Sequence, residues 1–599
     1  MGDIDRKRAL RLRFRRHLRM QRRQVEELGA SAEQRLENDF FKRLERLGRV
    51  RRFMTSWILL FVLLIGCVVA QTRALHSQYQ ELVPVPGGTY TEGILGSFSN
   101  ANPLYAINIV DASVSRLLFA GLLNYDEHNK LKPDLADSWS VNAAGTVYTV
   151  RLKSDLKWHD GMPLTANDVA FTFRVAQNPD AHSPLFSSWQ GIKVAVSDER
   201  TVTFTLPNPL ASFPYSLTTG IVPQHLLGAV AMADMRSVAF NTRKPVGAGP
   251  FEWQAIELNG ASVDSRQEHI ALKPFANYHG GKPKLSSFVV RTFRSEEQLV
   301  NSFQKQEVNA IVGLTDMPDQ LQNDSDMRTY NLPLTAAVMT FFKTSEGVLA
   351  DTSVRSALVS ASDVPSIVAS LPYVTLPVRE PLLPGQPGYN AAYQQPAYNL
   401  TAAKAQLDTA GWVPGKDGIR RKANQPLTFQ LTAQNNGEYP AVARELARQW
   451  RLVGADVKVI VSPDEATFQN TLAYHSYDAV LHGISIGVDP DVYVYWSSTQ
   501  ADERAPVRLN LSEYRSRQAD TALEAGRTRL DPQLRAEKYK PFLQAWQADA
   551  PALGLYQPRF LYITRGTLFG LTEHPINTDA DRFANVLDWQ IRQAYKTPK

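Results

Sequence analysis

Phe53 to Ala70 reads FMTSWILLFVLLIGCVVA, 18 residues without a charge. That is close to the shortest apolar run able to cross the hydrocarbon core of a bilayer as a helix. It splits the chain into parts that must fold in different surroundings. Arg49, Arg51 and Arg52 stand immediately before it, and only Arg73 and His76 come closely after. The cation excess on the cytoplasmic side of such spans predicts a cytoplasmic N-terminus, with everything after about residue 71 outside. A single-pass anchor over 53–72 is therefore expected. A cleaved signal peptide would need a charged leader of about 50 residues, far longer than such regions run. Leu64-Ile65-Gly66-Cys67 also fits a permissive lipobox around the only cysteine, Cys67, and a lipid there would replace the helix as the anchor. The apolar run continues through Val68, Val69 and Ala70, which favours the span.

Charge divides at the same place. Residues 1–52 hold 17 Arg and Lys against 8 acids, while the whole chain is only +6, so the remainder is close to −3. A basic segment alone suggests nucleic acid. One that runs straight into a span reads instead as a cytoplasmic tail that fixes orientation or lies on anionic lipid, at about 1 kcal/mol per well-placed arginine. No nucleic-acid partner is expected. Two helices are predicted in the tail, over 5–27 and 32–47, the second opened by a Ser31-x-x-Gln34 capping box. A linker over 73–87 comes next, ending in Pro84, Pro86, Gly87 and Gly88. Beyond it the chain is long enough for several cores, and its single cysteine excludes both a disulfide framework and a cysteine-based zinc site.

Within the body, Gly88 to Gly93 predicts a first short strand. Tyr148, Val150 and Leu152 alternate with Thr149, Arg151 and Lys153, the pattern of a strand with one buried face. Asp160-Gly161 marks a tight turn, and Thr165-x-x-Asp168 is a capping box opening a helix that Asn178-Pro179 stops. Strand-like runs over 288–293, 427–432 and 457–461 alternate with helix-like runs over 439–452 and 533–548, an α/β pattern.

Several segments, in order, carry a resemblance. Asp155, then Lys157-Trp158-His159-Asp160-Gly161, then Pro163-Leu164-Thr165-Ala166-x-Asp168-Val169, is similar to the signature of family 5 bacterial extracellular solute-binding proteins. Gly247-Ala248-Gly249-Pro250-Phe251, Asn277 to Leu285, Val354-Arg355-Ser356-Ala357-Leu358, Ala403 to Trp412 with Asp417 to Arg420, Tyr477-Asp478-Ala479 and Asp489-Pro490 resemble further segments of that family. The likeness covers roughly 88–595.

The resemblance implies a two-lobed periplasmic-binding-protein-like fold of type II. Lobe I would span 88–324, with an extra subdomain over 110–219, and lobe II 325–547. The stretch 548–599 would return to lobe I. It also implies a binding protein without a cofactor that encloses a peptide or similar solute, an oligosaccharide being the alternative, and hands it to an ABC permease driven by a separate ATPase subunit. A monomer is expected. By the same resemblance 483–498 faces the cleft, with Asp489 supplying a carboxylate and Tyr493, Tyr495 and Trp496 aromatic surface. Asn102 and Tyr105 in an early loop, and Phe341 with Phe342 after a strand, are further candidates. Peptide binders of this family commonly carry an Asp four residues before Pro490, where this chain has Ile486. A buried ammonium without a counter-charge costs several kcal/mol. Either Asp489 or another acid takes over, or the ligand has no free N-terminus.

Other readings are weaker. Gly483-Ile484-Ser485-Ile486-Gly487 matches a hydrolase nucleophile elbow around Ser485, but Val488-Asp489-Pro490 reads as a loop where that motif needs a helix. The 11 histidines form no HExxH or His-x3-His pair, so no metal site is expected. Gly411 to Lys416 lacks Walker spacing, and Gly247-x-Gly249 lacks the third glycine of a dinucleotide fingerprint. A sensor with this ectodomain remains an alternative, although the short tail holds no recognisable output module.

Overall fold

The structure is a computed structural model that describes residues 51–78, 81–260, 262, 266–505 and 508–596. The two tail helices expected before residue 50 lie outside the described residues. Arg51–Gln78 is one continuous helix, and its stretch Phe53–Ala74 is apolar and long enough to cross a membrane. The helix runs past Ala70 because the sequence from Gln71 to Gln78 holds no Gly or Pro to stop it. The expected linker is thus shorter than 73–87, and Glu81–Val85 in it is a strand.

Residues 84–592 form a separate compact unit. Its organisation rests on two sheets. The first has seven strands in the order Met327–Pro333, Arg559–Arg565, Ala310–Val312, Thr89–Leu95, Ser287–Phe293, Gln267–Pro274 and Phe251–Asn259. The second has five, Asp456–Val461, Thr428–Ala433, Ala479–Ser485, Ala336–Phe342 and Ala552–Tyr556. Each has a parallel centre: Thr89–Leu95 lies parallel to both its neighbours, and Thr428–Ala433 does the same in the second sheet. Parallel strands are covered on both faces. Ala336–Phe342, antiparallel to both its neighbours, is covered on both faces as well: Val338 and Phe342 enter one core, while Ala337, Met339 and Phe341 enter the other.

The chain changes sheet between Pro333 and Ala336 and again between Tyr556 and Arg559. Both crossings come later than the boundaries at 324 and 547 that the resemblance implies. The crossing segments touch, Leu334 N donating to the Pro558 carbonyl at 3.0 Å. A four-stranded antiparallel sheet, built on Ala136–Val141, Val147–Leu152, Thr201–Thr205 and Lys193–Asp198, belongs to the subdomain. Its neck is narrow: Gly121 and Gly220 pair by a β-bridge, where a side chain on either would strike the other segment. Helix Ile109–Leu118 lies before that neck and packs on the first sheet.

The resembling segments have structural explanations. The helix Ala166–Ala176 has the capping box read from Thr165 and Asp168. His159 sits against the Gly247-x-Gly249 turn. Its Nδ1 accepts the Gly247 N–H at 3.1 Å, and Nε2 is 3.1 Å from the Gly249 carbonyl, to which the neutral ring donates. A Cβ on Gly247 would overlap the Leu118 carbonyl, so the turn needs glycine for close approach rather than for an unusual φ. Arg355 is 4% exposed and donates to the carbonyls of Leu349, Ala350, Asp549 and Ala550. A guanidinium thereby satisfies the C-terminal carbonyls of helix Pro532–Asp549, where a cation is favoured.

Candidate functional site

In open α/β sheets, ligands sit beyond the carboxyl ends of the parallel strands. Here both sheets direct such ends to one place. The segment after Ala310–Val312 supplies Gly313 to Thr315, and the turn after Thr428–Ala433 supplies Asn436 to Tyr439. Together with Leu95, Tyr373, Arg559 and Asp579 they line a cavity of about 400 Å³, and the crossing pair Leu334 and Pro558 is part of its wall. That volume is ordinary for a small-molecule site. Gly437 has φ +50°, and a Cβ built on it would stand 3.5 Å from the Thr315 Cβ, so the two lobes meet at van der Waals distance here. A second cavity of about 420 Å³ adjoins the first. Ile109 and Asp579 line both, and Pro103, Tyr125 and Thr218 to Gly220 bring the subdomain's neck into its wall.

The polar groups of the first cavity come from both lobes. Glu438 Oε1 accepts the hydroxyls of Tyr373 and Tyr556, each at 2.8 Å. Among the described residues nothing donates to Oε2. Burial first, then the Glu438 charge, pushes both hydroxyls well above the usual tyrosine range, so they stay protonated donors. The Arg559 guanidinium lies 4.2 Å over the Tyr373 ring and donates to Asn331 Oδ1, with a long 3.4 Å contact to the Thr315 carbonyl. Its Nε has no partner among the described residues, and burial lowers its pKa. Asp579 is half-buried, its carboxylate accepts no hydrogen bond among the described residues, and burial raises its pKa.

The residues singled out in the sequence fall elsewhere. Asn102 is fully buried, holding Leu104 N and Asn241, and Tyr105 is 3% exposed with its hydroxyl on the Ala181 carbonyl. Both pin the loop after Thr89–Leu95 rather than face a cavity. Phe341 and Trp496 are buried against one another at 5.7 Å, with Trp546 edge-on to Trp496. A central strand covered by helices leaves neither ring a free face. Phe342, on the opposite face, packs on Trp450. Asp489 is taken by Arg535, whose two terminal nitrogens reach its two oxygens at 2.6 and 2.5 Å. Tyr495 donates to the Ser485 carbonyl at 2.6 Å, and Tyr493 lies under Arg527. The segment does meet the subdomain: Ser212 Oγ donates to Asp491 Oδ2 at 3.1 Å, and Arg527 pairs with the same oxygen.

Ser485 ends its strand, and a loop leads from it to the short helix Tyr493–Trp496, so no helix backs it as a nucleophile. Among the described residues no cluster of three His, Cys, Asp or Glu has the arrangement of a metal site.

Glu438 and Arg559 escaped the sequence reading, although one signal was available. Asn435-Asn436-Gly437 between an apolar strand and a helix opening on Tyr439-Pro440 marks a strand-to-helix turn, the place where α/β sheets bind. Nothing local distinguishes Asp579 from Asp581, which is bound in a capping box with Thr578.

The sequence model described as bacterial extracellular solute-binding proteins, family 5 Middle, matches residues 130–505. The oligopeptide-binding protein AppA of Bacillus subtilis is 26% identical over 544 residues, covering 88% of this chain and 97% of AppA. Its solved structure, in complex with a nonapeptide, superposes with a TM-score of 0.67 at 25% identity, covering 85% of this chain and all of that one. NikZ from Campylobacter jejuni, in complex with Ni(L-His), gives 0.68 at 24% identity over 84% of this chain and 99% of its own.

Proposed function

The chain belongs to the family 5 bacterial extracellular solute-binding proteins, and from that premise we propose that it is the membrane-tethered receptor of an ABC importer for peptides or related small solutes. In this reading Phe53–Ala74 anchors it with the N-terminus in the cytoplasm and residues 84–592 outside. Solute enters the gap between the lobes, the lobes close over it, and a permease senses the closed form. Energy for transport comes from a separate ATPase.

One observation carries the reading: a cavity at the carboxyl ends of parallel strands from two sheets, lined in part by the two segments that, among the described residues, pass between those sheets. Two short crossings let the sheets rotate about them while the cavity walls part. The likeness to AppA, an oligopeptide-binding protein, supports peptides as the solute class. The geometry asks for no chemistry on the solute.

The test is direct. Full-length protein in detergent should release a co-purified small molecule on denaturation, identifiable by mass spectrometry, and refolded solute-free protein should rebind it in calorimetry. Turnover of that molecule, or no binding of any tested solute, would sink the reading. The anchor is tested by intact mass. A chain retaining residues before Cys67 supports the helix, whereas a mature chain starting at a lipid-bearing Cys67 replaces it.

A further inference from the structure

The strand Ala552–Tyr556 is the edge of the second sheet, and an irregular segment, residues 375–395, lies along it. That segment starts on the second crossing. The Thr375 hydroxyl donates to the Gln557 carbonyl, Gln557 N to the Leu376 carbonyl at 3.0 Å, and Val378 N to the Leu555 carbonyl at 3.0 Å. It then reaches the first crossing through one turn. The Gln386 amide donates to the carbonyls of Gly487 and Val488 at 2.8 and 3.2 Å, while Ile486 N and Gly487 N donate to the Thr335 carbonyl. One segment thus touches both places where the chain passes between the sheets. Pro377, Pro381, Pro384 and Pro387 remove four of its backbone donors, so its seat depends on side chains. Val378, Leu382 and Leu383 enter the core, and Gln395 pairs with the Gly554 backbone in both directions.

Glu380 sits within this seat. It is fully buried, its Oε1 accepts the Asn390 N–H at 3.2 Å, and its Oε2 has no partner among the described residues. The charges on the elements around it are engaged elsewhere. Arg379 donates to the Gln395 carbonyl, Arg535 to Asp489, Arg527 to Asp491 and Lys540 to Glu537, and Asp549 takes the Tyr514 hydroxyl. The covered strand brings only Tyr556, whose hydroxyl goes to Glu438. With no charge to offset it, burial raises the pKa of Glu380 from 4.5 to about 8, the Asn390 N–H pulling the other way.

We propose, resting on the reading of the two crossings as a hinge, that segment 375–395 is a proton-held brace: protonated Glu380 keeps it seated on both crossings, and loss of that proton lifts it and slackens the hinge. The physical reason is desolvation. A neutral carboxyl tolerates a site with one backbone donor, whereas a carboxylate there is drawn to water. The sign follows from proton counting. Between pH 4.5 and 8 the seated carboxyl keeps a proton that a lifted, hydrated one gives up, so a rising pH favours lifting, and above 8 both are ionised and the trend ends. Buried His159 and His482, held down to about 4, act below 6.5 and in the opposite direction. Acid surroundings therefore firm the hinge, and mildly basic ones loosen it.

The experiment is amide hydrogen exchange of the full chain in detergent, followed by mass spectrometry from about pH 6.5 to 8 and corrected for the intrinsic rate at each pH. Protection of 375–395 should fall by close to tenfold per pH unit, the limit for one proton, and level off beyond 8. Peptides covering 486–488 and 556–558 should follow it, while the central strand Thr428–Ala433 keeps its protection. Glu380→Gln should leave the segment protected and its protection independent of pH. Glu380→Met, which fills similar space with no proton to lose, should do the same and takes its place if Glu380→Gln does not fold. Protection of 375–395 that is constant with pH in the parent overturns the proposal without any variant. An equal fall in the parent and a folded variant overturns the assignment to Glu380. Loosening of 375–395 while 486–488 and 556–558 stay protected overturns the bracing of the crossings. No solute enters the measurement, so each of these failures leaves the solute-binding reading standing.

Discussion

At the scale of single residues, the difference between Trp496 and Glu438 is one of commitment. Trp496 is wrapped by Phe341 and Trp546, so its truncation removes core packing. Trp496→Ala should cost ~3–5 kcal/mol in urea unfolding, while the variant that remains folded binds solute as before. A large loss of affinity in a variant of unchanged stability would move Trp496 out of the core. His159 makes a pH prediction. Burial holds its pKa down to about 4 from an ordinary 6.5, outweighing the hydrogen bond to the Gly249 carbonyl and the Asp160 charge, which both raise it. The unfolded chain therefore takes up a proton at higher pH than the folded one. Stability from this group is fully present above pH 6.5 and is lost as the pH falls from there towards 4, by about 3 kcal/mol in all. His482, lowered by burial to about 4, works in the same window. Unfolding free energies measured from pH 7 to 4 should fall less steeply in His159→Gln than in the parent, and parallel curves would remove His159 as a cause.

At the scale of elements, most of what the sequence implied can be traced to patterning. The strand Val147–Leu152, the capped helix Ala166–Ala176 and the helix Tyr439–Arg451 are local features, decided by alternation, a capping box and apolar spacing. The helix from Arg51 was equally legible, because no folded core is needed to explain an uncharged apolar run. What patterning cannot show is which end of which element a side chain is used to tie. Arg355 in Val354-Arg355-Ser356-Ala357-Leu358 is an example. Its sequence surroundings are those of an amphipathic helix, yet its guanidinium closes the end of a helix nearly two hundred residues away. Arg355→Met should strand several buried carbonyls and cost roughly 3 kcal/mol, each such group being worth about 1–3. Arg355→Lys should recover only part of this, since an ammonium cannot reproduce the planar fork. Full recovery by lysine would show that charge at the helix end, and not the set of directed bonds, is what matters.

At the scale of the whole unit, the candidate site was hidden for a different reason. Glu438, Arg559 and Asp579 belong to three distant stretches, and they meet only because the chain passes twice between two sheets. The family resemblance implied a cleft at 483–498, a segment rich in aromatic and acidic residues. Such a composition does not distinguish a wall from a core: Trp496 is buried there, while Tyr493 and Tyr495 are half-buried against Arg527 and the Ser485 carbonyl. Its acids Asp489 and Asp491 go to arginines, and the contact of Asp491 with Ser212 holds the subdomain against the second lobe. If the unit works by parting and closing, the contact between Gly437 and Thr315 is a latch that can be made covalent. A Cβ built on Gly437 would lie 3.5 Å from the Thr315 Cβ, within the usual range for a disulfide, about 3.5–4.5 Å. The φ of +50° at Gly437 costs a cysteine there about 1–2 kcal/mol, less than a disulfide commonly contributes, roughly 2–4 kcal/mol. In a Cys67→Ser background, Gly437→Cys with Thr315→Cys should form this bond on mild oxidation. Small-angle scattering of the solute-free protein should then give a smaller radius of gyration in the oxidised than in the reduced form. Labelled solute added after oxidation should fail to enter, and reduction should restore uptake. If oxidised and reduced forms scatter alike and exchange solute at the same rate, the lobes do not part at this contact, and the crossing segments at Leu334 and Pro558 are not a hinge.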